Sequence, residues 1–161
     1  MSKHPAINSL YSYGIEGEEK LLSTISSYVG EPVKKTSATF DHLDAMGTNS
    51  FSEIKRRGSD WSYHDKIIKQ EGWILPSCKV IRAWEELSKG KKVYFFYFWM
   101  VDKSLWVYEM KPNDFTDAKS HFIPNGHWDN MLHVRIMEDK WKRVNCDLRN
   151  VMFEEDQCWI D

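Results

Sequence analysis

Apolar residues return along this chain with two periods, and the change from one to the other outlines the elements. Between Ile15 and Val29, Leu21, Leu22, Ile25, Tyr28 and Val29 recur at helical spacing. Gly30 then suits a helix C-terminus and Pro32 blocks continuation. Val33–Thr39 is a weak strand pattern. Phe40–Met46 and Phe51–Arg57 read as two strands of a hairpin around the turn residues Gly47-Thr48-Asn49-Ser50. Tyr63–Glu71 is ambiguous. Pro76–Leu87 reads as a second helix, with Pro76 in its first turn and Val80, Ile81, Trp84 and Leu87 as its apolar stripe. Val93–Val101 is apolar throughout, the mark of a central strand covered on both faces, and Leu105–Met110 is its expected hairpin partner. Beyond Pro112, turns are expected at Pro112-Asn113 and Pro124-Asn125-Gly126, and strands at His133–Met137 and Val151–Phe153.

The expected order is therefore helix, three strands, helix, strand, then further strands. It predicts a mixed α/β fold in a single domain, the central sheet flanked by helices. At 161 residues, with 42% hydrophobic and 14% aromatic content, the chain has enough apolar surface for a core. The longest apolar run, Val93–Val101, is too short for a membrane-spanning helix. Met1–Tyr11 lacks the apolar centre of a signal peptide, and Cys78, Cys146 and Cys158 form no C-x-x-C pair. These features lead us to expect an intracellular, cytoplasmic protein with reduced thiols and no membrane partner. His121, His127 and His133 lack the spacing of a zinc site. A Cys78–His64 nucleophile pair has no supporting context.

The informative chemistry lies in the hairpin. Side chains alternate along a strand, so Glu53 and Lys55 share a face and Ile54 takes the other. Asp44 ends the preceding strand. Strand parity prefers it to Asp41, which shares a face with Leu43 and Ala45. Two carboxylates and an ammonium would thus converge where the paired strands end, and hard oxygen donors suit Mg²⁺ or Mn²⁺. Five acid-x-Lys tripeptides occur, beginning at Glu18, Glu53, Glu109, Asp117 and Glu138. Glu109 is the competitor, with Asp102 seven residues earlier, but Asp102 sits in an expected tight turn.

Asp44 followed nine positions later by Glu53-Ile54-Lys55 resembles the metal-site signature of the PD-(D/E)XK nuclease superfamily, which includes restriction endonucleases and small phage nucleases. Its α-β-β-β-α-β core would cover about Ile15–Met110, with a β-rich addition over residues 111–161. Ser52 departs from the family pattern, which has an apolar residue there. The resemblance implies a restriction endonuclease-like fold and a Mg²⁺- or Mn²⁺-dependent endonuclease acting on DNA. It implies Asp44, Glu53 and the Ile54 carbonyl as metal ligands, with Lys55 as the catalytic lysine. Glu18 on the first helix is a further metal candidate, or simply an acid at a helix N-terminus. Lys79 on the second helix is a catalytic and phosphate-binding candidate, or an exposed helix lysine. Arg56 and Arg57 join it as candidate nucleic-acid contacts. A phage-encoded protein acting in a host cytoplasm fits this picture, and cleavage of both strands would favour a homodimer.

A net charge of −2 gives the DNA reading no support, so a local basic patch would have to do the binding. Two rivals remain open. One is a catalytically silent nucleic-acid-binding module of the same fold. The other is an unrelated intracellular interaction domain using its aromatic surface. The bland reading of the hairpin is an exposed surface ion pair.

Overall fold

The computed structural model describes residues 20–36, 43–57, 73–100, 102–114, 120–122, 132–136 and 138–151. Residues 20–29 are helical (α1) and end at Gly30, whose φ of 85° is the left-handed conformation a C′ glycine provides. Then come β1 (Lys34–Lys35), β2 (Ala45–Met46), β3 (Ser50–Arg57) and β4 (Trp73–Pro76). Helix α2 (Ser77–Ser88) leads into β5 (Lys92–Trp99) and β6 (Ser104–Met110). Among the described residues, β7 (Ser120–Phe122), β8 (Leu132–Ile136) and β9 (Lys142–Arg143) follow.

The class is mixed α/β. One sheet has six strands in the order β1-β2-β3-β5-β6-β9, and a second has three in the order β4-β8-β7. Among the described strands of the larger sheet only β3 and β5 are parallel, in register from Ser50↔Lys92 to Arg57↔Trp99. A parallel pair cannot be closed by a tight turn. The chain between them passes through β4 and α2, and α2 lands on the sheet's face.

Strand β5 explains the layering. Val93, Phe95, Tyr97 and Trp99 pack on one side with Tyr108, Met110, Leu75 and the α2 residues Val80 and Ala83. Tyr94, Phe96 and Phe98 pack on the other with Leu105, Val107 and the α1 residues Leu21 and Ile25. Both faces of β5 are covered, so its apolar run is unbroken, as the sequence suggested.

Several expectations need correction. Of the expected strand 40–46, β2 retains Ala45–Met46, and Asp44 lies in a bend before it; residues 40–42, including Asp41, lie outside the described residues. Pro76 closes β4, a strand the sequence reading missed, rather than opening α2. Ile81 and Trp84, assigned to the buried stripe, are 55% and 42% exposed. The inward face of α2 is Val80, Ala83 and Leu87, accompanied by Lys79 and Glu86. Of the expected strand 151–153, Val151 is not in a strand and residues 152–153 lie outside the described residues; β9 was not anticipated. Among the described residues, no helix is long and apolar enough to cross a membrane.

Candidate active site

Glu53 sits in the middle of β3, opposite Phe95 of β5, with its side chain 1% exposed. Alternation along β3 sends Ile54 into the α1 layer and turns Glu53 and Lys55 towards the α2 layer, where Phe51 also packs. The expected strand-end position of Glu53 is therefore wrong, and so is the reading of the hairpin as an exposed surface ion pair. The strand continues through Arg57, and α2 covers this face.

Two ammonium groups reach the Glu53 carboxylate. Lys55 Nζ lies 3.3 Å from Oε1, and Lys79 Nζ, from the first turn of α2, lies 3.3 Å from Oε2. Neither oxygen accepts a hydrogen bond of sound geometry. Both are buried, which is an expensive state for a carboxylate unless something further compensates it. Burial is the main reason the Glu53 carboxyl is pushed up to about 7; Lys55 opposes the rise, Asp44 adds to it and Lys79 opposes it.

Asp44 arrives from the bend. Its Oδ2 accepts a hydrogen bond from the Ile54 N–H at 2.8 Å. Towards Asp44 the β2–β3 pairing goes no further than Ala45↔Ser52, so the Asp44 side chain takes over where that pairing stops. In an extended strand one residue's N–H and C=O face the same edge, so the Ile54 carbonyl points to the side from which Asp44 comes.

The structure thus brings together Asp44, Glu53, Ile54, Lys55 and Lys79. Lys79 is only 12% exposed, which removes the exposed-lysine reading of that residue. Arg56 and Arg57 continue β3 opposite Phe98 and Trp99. Glu18 lies outside the described residues. Ser52, the departure from the family pattern, is fully buried and its hydroxyl has no hydrogen-bond partner.

These donors suit a hard divalent cation. Two carboxylates and a main-chain carbonyl are all-oxygen, and Mg²⁺ binds through one or two carboxylates while keeping several waters. The buried Glu53 oxygens, flanked by two ammoniums but accepting no hydrogen bond of sound geometry from them, are the observation that favours a cation there. Among the described residues no group of three His, Cys, Asp or Glu side chains converges.

Sequence reasoning overlooked Thr36. Its hydroxyl donates to the Leu43 carbonyl at 2.6 Å and its N–H donates to the Asp44 carbonyl at 2.9 Å. No local pattern links a threonine at the end of a two-residue strand to a bend eight positions later. Comparisons with protein-family models, with curated proteins and with solved structures return no match to this chain.

Proposed function

We propose that this protein is a Mg²⁺- or Mn²⁺-dependent endonuclease that hydrolyses DNA phosphodiester bonds on a restriction endonuclease-like core. The observation that carries the reading is the convergence of Asp44, Glu53, Lys55 and Lys79 from three separate segments onto one partly enclosed spot. The order of elements adds support: a helix, the β1-β2-β3 meander, the α2 crossover, and β5 parallel to β3.

In this reading Asp44, Glu53 and the Ile54 carbonyl hold the cation. When bound, it supplies charge neutralisation at the phosphate and a more acidic water. Lys55, 32% exposed on the Glu53 face, orients the attacking water and offsets charge building on the phosphate oxygens. Lys79 places a second ammonium beside the same carboxylate and offers it to a neighbouring phosphate. Arg56 and Arg57 extend the strand towards the flanking backbone of the DNA. A homodimer is required only for concerted cleavage of both strands.

Plasmid and single-stranded DNA incubated with Mg²⁺, with and without chelator, test the proposal. Cleavage by the wild-type chain that chelator abolishes, and that Asp44→Asn reduces by about 100-fold or more, is the expected result. Salt-dependent DNA binding in Ca²⁺ without cleavage in Mg²⁺ would instead identify a silent binding module. Absence of both would leave the interaction-domain reading.

A further inference from the structure

Asp44 reaches Glu53 because a regular ladder fails beside it. The Gly47 N–H donates to the Ser50 carbonyl at 2.9 Å, which makes Gly47–Ser50 a hydrogen-bonded pair of the β2–β3 hairpin. Bonded and non-bonded pairs alternate in an antiparallel ladder. With Ala45 opposite Ser52, the next bonded pair would be Leu43–Ile54, the Leu43 carbonyl accepting from the Ile54 N–H. Neither group makes that bond. The Ile54 N–H goes to Asp44 Oδ2, and the Leu43 carbonyl goes to the Thr36 hydroxyl.

The backbone shows the same break. Leu43 packs in the α2 layer and Ala45 in the α1 layer. Residues two apart on a continuous strand share a face, so the chain turns over at Asp44. The parity argument for Asp44, which needs a continuous strand, therefore does not hold. Thr36 grips the turn at two points. Its N–H holds the Asp44 carbonyl at 2.9 Å, and its Oγ1 lies 2.6 Å from the Leu43 oxygen and 3.3 Å from the Asp44 oxygen.

We infer that Thr36 is a positioning residue: its hydroxyl withdraws the Leu43 carbonyl from the β2–β3 ladder and thereby seats the Asp44 carboxylate beside Glu53. The consequence for cation binding rests on the metal reading given above; the placement of Asp44 does not. Without the hydroxyl, the Leu43 carbonyl regains the Ile54 N–H as its partner, β2 lengthens, and Asp44 loses the bond that aims it. The N–H of residue 36 remains in any variant, so the hydroxyl alone is tested.

Glu31 supplies the control. It fastens the opposite end of the same hairpin, its Oε1 accepting from the Asn49 N–H at 3.0 Å and from the Ser50 hydroxyl at 2.5 Å. Glu31→Ala loosens the hairpin without touching the bend. Two readouts are needed on the folded full chain, namely Mn²⁺ affinity by calorimetry and the Ile54 amide resonance in metal-free protein. Thr36→Val and Thr36→Ala should each weaken Mn²⁺ binding about tenfold or more, the range for partners that orient a ligand. They should also shift the Ile54 amide in the same direction as Asp44→Ala. Thr36→Ser should restore both readouts, and Glu31→Ala should move neither. An unshifted Ile54 amide in Thr36→Val and Thr36→Ala overturns the inference, as does an equal Mn²⁺ loss in Glu31→Ala. Wild-type protein that binds no Mn²⁺, with the amide shifts as expected, refutes the metal reading while leaving the positioning role of Thr36 supported.

Discussion

The chain carries the same tripeptide pattern on two strands of one sheet, and the fold treats the copies differently. Glu53-Ile54-Lys55 lies on β3 and Glu109-Met110-Lys111 runs off the end of β6. In both, the middle residue is buried, 3% for Ile54 and 1% for Met110. The acids diverge. Glu53 is 1% exposed and shared between ammoniums from its own strand and from α2. Glu109 is 30% exposed and pairs with Lys111 at 2.6 Å, its lysine 60% exposed. It lies opposite Tyr94 in the β5–β6 register, and its charge helps to raise the pKa of Tyr94 and Tyr28 after burial has done so. The upstream acids diverge as well. Asp44 reaches into β3 through the Ile54 N–H, whereas Asp102 Oδ1 caps its own turn by accepting from the Ser104 N–H at 3.1 Å and hydroxyl at 2.6 Å. A tripeptide sets only which side chains share a face. What lies over that face decides whether they form a site.

The largest effect should separate the two copies outright. Glu53→Gln keeps the side-chain shape in a buried position while removing its charge. It is expected to reduce Mg²⁺-dependent DNA cleavage by about 1000-fold, roughly 4 kcal/mol of transition-state stabilisation. Glu109→Gln should leave the rate within about twofold, since surface changes away from a site are nearly neutral. A plasmid-nicking time course on the two purified variants decides it. Loss of cleavage in Glu109→Gln alone would move the site to β6.

Stability against pH gives the next largest effect and does not depend on nuclease activity. The Glu53 carboxyl is pushed from 4.5 to about 7 in the folded protein. A raised acid pKa means that the folded chain prefers the protonated form. The stabilisation is therefore complete below pH 4.5 and is lost as pH rises through 7. The shift corresponds to about 3 kcal/mol. In chelator, Glu53→Gln should be the more stable chain at pH 8 by up to that amount, and should equal wild type near pH 4. Denaturant melts at both pH values measure the difference. A parallel pH dependence in the two chains would mean that burial does not dominate at Glu53, and the contrast with Glu109 would collapse.

What could be read beforehand follows the range of the interactions. Strand β5 was legible because burial on both faces leaves no polar position to interrupt Val93–Trp99. The shared face of Glu53 and Lys55 was legible because alternation is a property of one strand. Helix α2 was found, but its phase was misread: Ile81 and Trp84 are exposed, while Lys79 and Glu86 lie on the inward side, where a hydrophobicity pattern cannot see charged residues. β4 was hidden because Pro76 ends a strand and looks like a helix start. β9 consists of two charged, exposed residues that pair with Trp106 and Val107, about 36 positions earlier, which leaves no local pattern. The bend at Asp44 was invisible for the same reason. It depends on Thr36, Leu43 and Ile54 exchanging hydrogen-bond partners across three segments.

The smallest expected effect tests the exposed copy itself. The Lys111–Glu109 ion pair, at 2.6 Å, is shorter than either contact made by Glu53, so a reading by distance would rank it the strongest. Exposure argues otherwise. Water screens both partners, and ordering two flexible side chains offsets most of the attraction, so such pairs contribute between about 0 and 1 kcal/mol. Lys111→Ala is expected to lower the unfolding free energy by about 0.5 kcal/mol or less. That difference should shrink further at high salt, where exposed charges are screened over a few ångströms. The Lys111 N–H, which donates to Asp114 Oδ2 at 2.8 Å, survives the substitution, so the measurement isolates the side chain. Urea melts of wild type and Lys111→Ala at low and high salt give the number. A loss above about 1.5 kcal/mol that persists in salt would lie outside the range for an exposed pair. It would show that the Lys111–Glu109 pair is more than a surface contact, and the two tripeptides would then be closer in kind than their burial indicates.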